Sequence, residues 1–185
     1  MRNTATLRYG SLSIALHWLM LALIAAVYAC IELHDLFPKG SATRDAVKSW
    51  HFMLGLSVLL LVGVRLVVRW LGSTPSIEPP LSAWQSRAAR AGHVVLYAFM
   101  IGMPIMGWLT LSASGKVIPF FGAELPALIG VNKELGKSIK EIHETIGTAG
   151  FYLIGLHAAA ALYHHYVRRD STLVRMLPML DRRER

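Results

Sequence analysis

The chain has 185 residues, 54% of them hydrophobic and only 16% charged, with a formal net charge of +8. A soluble domain of this length would show apolar residues that alternate or recur at helical intervals; here they run in long blocks that are apolar all round, which argues against a soluble domain and for a lipid bilayer. The positive charge then reads as membrane topology, and no basic nucleic-acid motif accompanies it.

Four such blocks follow in chain order: Ser13 to Leu33, Trp50 to Val68, Ala91 to Leu111 and Ile146 to Val167. Each is long enough to cross the hydrocarbon layer, which takes roughly 17–25 helical residues. The sequence predicts an all-α fold, an integral membrane four-helix bundle, as a single membrane domain over residues 1–185. The first block is too long for the apolar core of a signal peptide and is poor in small-residue cleavage signals. Gly72 to Leu81 holds Pro75, Pro79 and Pro80 and reads as an extended crossing rather than helix. Ser112 to Glu141 reads as a partly interfacial loop, with Trp108, Phe120 and Phe121 in the aromatic belt beside it.

The basic residues orient the spans. Twelve of the nineteen, all arginines, fall on the side of the termini and the second connection; Arg2, Arg65, Arg182, Arg183 and Arg185 are among them. The other side holds seven, including Lys48, Lys116, Lys137 and Lys140. The positive-inside rule places the arginine side, and so both termini, in the cytoplasm.

Histidines carry the strongest chemical signal. His143 and His157 lie fourteen residues apart on the last block. On an α-helix that interval returns to nearly the same face, about 40° short of whole turns, and climbs roughly 21 Å. Two imidazoles are thus stacked on one face, near opposite sides of the membrane, where histidines are costly and usually functional. His51 follows Lys48 by three residues, just as His143 follows Lys140, so these two are level at the outer side. His17 lies nine residues after Arg8, and His157 eleven before Arg168, so these two are level near the cytoplasm. The pairs His51 with His143 and His17 with His157 follow. Imidazole is a standard axial ligand of haem iron, so each pair can clamp one planar cofactor, giving two stacked haems. With a single cysteine, Cys30, and no C-x-x-C-H motif, the haems are expected to be of the non-covalent b type.

Smaller residues agree. Gly55 and Gly147 each lie four positions after an outer histidine, on the same face, where a side chain would collide with a macrocycle. Gly63, Gly150 and Gly155 are expected to extend this relief. Arg65 is fourteen residues after His51, at the level of the inner pair, and its fork suits a haem propionate. The plainer readings are helix packing for the glycines and snorkelling for Arg65. His34 reads as a solvated residue at the outer surface. His93, His164 and His165 cluster near the cytoplasmic interface, as headgroup-level polar residues or as quinone or proton-relay candidates.

The chain resembles the bacterial cytochrome b561 family, four-helix di-haem membrane proteins described as superoxide oxidases. The resemblance covers nearly the whole chain. It rests on Ala15-Leu16-His17-Trp18-Leu19, on Trp50-His51 leading to Arg65, on His143-Glu144-Thr145 and on the run Ile154 to Ala161, continued through His164-His165-Tyr166 to Pro178. Departures lie in the loops, including His34-Asp35. The resemblance implies His17, His51, His143 and His157 as ligands of two haem b groups in the bacterial inner membrane. It also implies superoxide:ubiquinone oxidoreductase activity, with superoxide oxidised to oxygen and ubiquinone as electron acceptor. No nucleic acid and no required protein partner is expected.

Superoxide is an anion that crosses lipid poorly, so it should donate its electron at a water-exposed edge of the outer site. Lys48, Lys137 and Lys140 flank that site and are the steering candidates. Seven acids balance the seven outer bases, so any steering is local. Two other classes stay open: an electron-transfer cytochrome b subunit of the hydrogenase or formate dehydrogenase type, which needs a docking surface, and a membrane metal-binding protein, which would be colourless.

Overall fold

The structure, a computed structural model, describes residues 8–177. Arg2, Arg182, Arg183 and Arg185 of the charge bias, and Pro178 of the last motif, lie outside the described residues. Four helices form the bundle: α1 (Ser11–Leu33), α2 (Ala42–Leu71), α3 (Ala83–Ala113) and α4 (Lys133–Tyr163). All four are long and apolar enough to cross a membrane. Strands β1 (Ile118–Phe120) and β2 (Ala123–Leu125) close a small antiparallel hairpin between α3 and α4.

The helices run past the apolar blocks because polar caps extend them. Ser41 caps α2, its hydroxyl accepting from the Arg44 amide. At Ser82 the amide and hydroxyl both donate to Gln85 Oε1, one arm of a capping box that starts α3 eight residues before its apolar run. Asn132 caps α4 through the Leu135 amide, so His143 lies well inside a helix that starts at Lys133. The loop expected over Ser112 to Glu141 is therefore shorter and partly ordered. Its hairpin turns at Phe121 and Gly122, both with positive φ as a tight two-residue turn requires.

Packing is uneven. One apolar cluster joins Met20, Val58 and Val62 at mid-bundle; a second joins Leu56, Leu111 and Ile118 under the hairpin. Helix α1 packs on α2, α2 on α3 and α3 on α4. No α-carbon of α4 comes within 8 Å of α1 or α2, so side chains alone span that gap. Large apolar residues such as Leu60, Val67 and Leu156 face outward, as lipid-facing surfaces do.

Both described chain ends meet at one end of the bundle, opposite the hairpin. The segment after α4 makes a π-helical turn (His164–Arg168) and folds back. Ser171 N–H donates to the Glu78 carbonyl and Ser171 Oγ accepts from the Glu78 amide, both at 2.9 Å. Trp18 Nε1 donates to the Met176 carbonyl, and the Tyr9 amide to that of Arg175. Arg175 also bonds the Tyr9 hydroxyl and stacks on its ring. This clasp ties the proline-containing crossing to the first and last helices.

Candidate functional site

The gap beside α4 is where the histidines meet. His17 of α1 and His157 of α4 have ring centroids 6.4 Å apart, with planes at 70°. His51 of α2 and His143 of α4 are also 6.4 Å apart, at 78°. The depth-matched pairs read from the sequence are the pairs the fold brings together. Each pair bridges helices whose backbones do not touch.

The spacing suits a metal between the rings. A metal–imidazole bond of about 2 Å on each side, with the half-width of each ring added, gives centroids about 6 Å apart. At the hairpin end the pair borders a largely apolar cavity of about 690 Å³, whose walls include Phe52, Met103, Gly107, Gly147 and Phe151. That is the size and character of a cofactor pocket. His51 Nδ1 donates to the Val27 carbonyl at 3.0 Å, which leaves Nε2 free to ligate. An apolar slot and paired imidazole donors fit a haem at this level, and the same donor pairing fits one at the other.

Arg65 is 7% exposed and reaches the inner pair, as its spacing from His51 predicts. Its guanidinium lies 3.2 Å from His17 Nδ1 and donates to the Ser13 carbonyl at 3.1 Å. It is therefore not snorkelling: the guanidinium is turned inward and lies beside a histidine. His93, expected at the interface, has its ring 5.6 Å from that of His157 and so belongs to the inner group.

The glycines divide. A Cβ at Gly55, Gly63 or Gly155 would meet nothing within 4 Å, so these face open space. Gly147 lines the large cavity. Gly150 serves aromatic packing instead: a Cβ there would lie 2.2 Å from the Phe99 ring and 3.0 Å from the Tyr28 hydroxyl. Gly107, not anticipated, lies beside the His143 ring, which a Cβ there would meet at 3.5 Å, an ordinary contact.

Other residues depart from expectation. The His34 side chain is 15% exposed rather than solvated, its Nδ1 against the Ile31 carbonyl, while neighbouring Asp35 pairs with Arg44. His164 Nδ1 lies 2.5 Å from Asp170 Oδ2, inside the clasp. Burial favours the protonated form of Asp170, but hydrogen bonds from His164 and Thr172 outweigh it and hold the carboxyl below its usual range. His165 stacks edge-on with Tyr166 instead of joining either pair. Of the three steering lysines, only Lys140 lines the large cavity, and its Nζ is 2.6 Å from Glu144. Lys137 is paired more loosely with Glu141, at 3.9 Å. Tyr28 was missed in sequence; its hydroxyl donates to the Gly147 carbonyl at 2.6 Å and bridges α1 to α4. A lone tyrosine in an apolar block carries no spacing signal that could have found it.

Residues 8–179 match the sequence profile of the family described as prokaryotic cytochrome b561. Cytochrome b561 homolog 1 of Escherichia coli K12 is 40% identical, covering 92% of this chain and 97% of that one. The probable superoxide oxidase CybB of Yersinia pestis is 35% identical, covering 92% and 96%. Cytochrome b561 homolog 2 of Escherichia coli K12 is 28% identical, covering 92% and 91%.

Proposed function

This chain belongs to the prokaryotic cytochrome b561 family, and on that premise we propose that it is a superoxide:ubiquinone oxidoreductase of the bacterial inner membrane with both termini in the cytoplasm. The observation that carries the reading is the pair of histidine pairs, each at 6.4 Å, stacked along one gap of a membrane bundle. The name of the Yersinia pestis relative supports superoxide as the donor.

His51 with His143 would hold one haem and His17 with His157 the other. When bound, two b-type haems supply two one-electron carriers, which matches two superoxide anions oxidised for each ubiquinone reduced to quinol. The chain itself does four things. Val27 fixes the His51 ring through its carbonyl. Arg65 is anchored to the Ser13 carbonyl and places a buried positive charge beside His17 and the inner site. Phe52, Phe99, Met103 and Phe151 keep the outer slot apolar and limit water. His93 beside His157, and His164 with its Nδ1 against Asp170, are the groups placed to hold protons that a quinol takes up. His165 is the weaker relay candidate, being held by Tyr166 alone among the ring contacts described. Lys48, Lys137 and Lys140 remain the flanking cations of the outer end.

Stopped-flow mixing of oxidised, haem-loaded protein with superoxide tests the proposal. Haem bands should become reduced and then reoxidise on addition of a ubiquinone analogue. Absence of either step would leave an electron-transfer subunit as the better reading of the same helices.

A further inference from the structure

A second cavity, of about 390 Å³, opens at the hairpin end and is lined by the end of α3, both strands and residues 127–131. Lys116 and Ile118 line both this cavity and the larger one that holds His51 and His143. These two residues border both spaces. Ile118 is 3% exposed and packs with Leu56 and Leu111, so it is fixed. Lys116 is fixed at its backbone by a Schellman stop. Its amide donates to the Leu111 carbonyl, and the amide of Gly115, at φ 67°, donates to that of Ser112. The Lys116 side chain remains exposed.

The charges around it are not equivalent. Lys140 borders the large cavity but is paired with Glu144, and Lys137 is paired with Glu141. Arg44 is buried against Asp35. Lys116 makes no ion pair among the described residues, and it alone of the cations touches both cavities. The acid of the small cavity is Glu124; those of the large one are Glu32 and Glu144.

We propose that the small cavity is the vestibule through which a small anion reaches the His51–His143 cavity, and that Lys116 draws the anion from one space to the other against the opposing charge of Glu124. The cavity is more than ten times the ~30 Å³ share of one water molecule, so a hydrated diatomic anion fits. The identity of the natural anion rests on the superoxide reading above: O2•− gives up one electron and leaves as O2. The entry route itself holds for any small anionic reductant.

The test uses the full-length, haem-loaded protein in lipid nanodiscs. Haem reduction is followed with superoxide, with dithionite (which acts through the sulfur dioxide radical anion) and with duroquinol, a neutral reductant. Lys116→Gln should slow both anions about fivefold, the change in local anion concentration set by one charge at contact range in water. Lys116→Arg should restore the rates, and Glu124→Gln should raise them. Salt dependence should shrink in Lys116→Gln, while duroquinol rates and both haem midpoint potentials stay unchanged. Lys116-dependent reduction by dithionite, with no reduction by superoxide, would sink the superoxide reading and keep the vestibule. The vestibule falls if neither variant moves the anion rates. It also falls if Lys116→Gln slows duroquinol equally or shifts a haem potential, because Lys116 would then be a packing or cofactor contact.

Discussion

Replacing Arg65 with leucine removes a buried charge next to one proposed ligand while keeping an apolar stem in the gap. The guanidinium lies 3.2 Å from His17 Nδ1. An iron on the far nitrogen of that ring would sit roughly 7 Å from the charge, worth about 2 kcal/mol at an effective dielectric of about 20. For one electron that corresponds to roughly 100 mV, since about 59 mV matches about 1.4 kcal/mol. The positive charge favours the added electron, so Arg65→Leu should lower the inner midpoint potential. Water entering the space left by the guanidinium reduces the shift, giving an expected drop of about 30–100 mV. Arg65→Lys keeps the charge but loses the fork that reaches both His17 and the Ser13 carbonyl, so it should recover most of the potential and less of the stability. Potentiometric titration followed in the haem bands measures both. A protein that retains its haem with an inner potential within 10 mV of the parent, or a higher one, would refute the argument and make Arg65 a tether only.

Three further outcomes are expected. Pyridine haemochrome should give close to two haems per chain; His51→Ala or His143→Ala should lose or convert to high spin one spectral component, and His17→Ala or His157→Ala the other. Loss of the same component from His51→Ala and His157→Ala would break the pairing. Gly150→Ala should destabilise the bundle by about 1–3 kcal/mol through overpacking against the rigid Phe99 ring, seen as a lower thermal midpoint in detergent, whereas Gly155→Ala, with open space beside it, should be near neutral. Asp170→Ala should loosen the clasp by about 2 kcal/mol by leaving the His164 ring and the Thr172 amide unpaired, with faster hydrogen exchange over residues 164–177. Because the native Asp170 carboxyl is held below its ordinary value of about 3.9, the stability it contributes is complete above that pH and is lost as pH falls through the depressed value. An acid transition of the clasp that survives Asp170→Ala unchanged would assign it to another group.

By itself the sequence determined the class of the protein, the number of spans and the pairing of its histidines. Those follow from rules that act along a single helix: a bilayer sets the length of an apolar run, and fourteen residues return an imidazole to its own face. His17, His51, His143, His157 and the level of Arg65 were legible for that reason. Only the tertiary structure decided how the helices turn and how far apart they stand. Spans that are apolar all round carry no amphipathic stripe to mark an inward face. Hence nothing in the chain announces that α4 stands clear of α1 and α2, that Gly150 seats Phe99 while Gly55 faces open space, or that Tyr28 crosses the gap to Gly147. Charged residues are legible as counts on one side or the other, but their partners depend on which helix turn faces which loop. Lys140 with Glu144 is an i,i+4 pair that the geometry of one helix already allows, but that Lys116, one basic residue among seven in sequence, borders two cavities is decided by the fold.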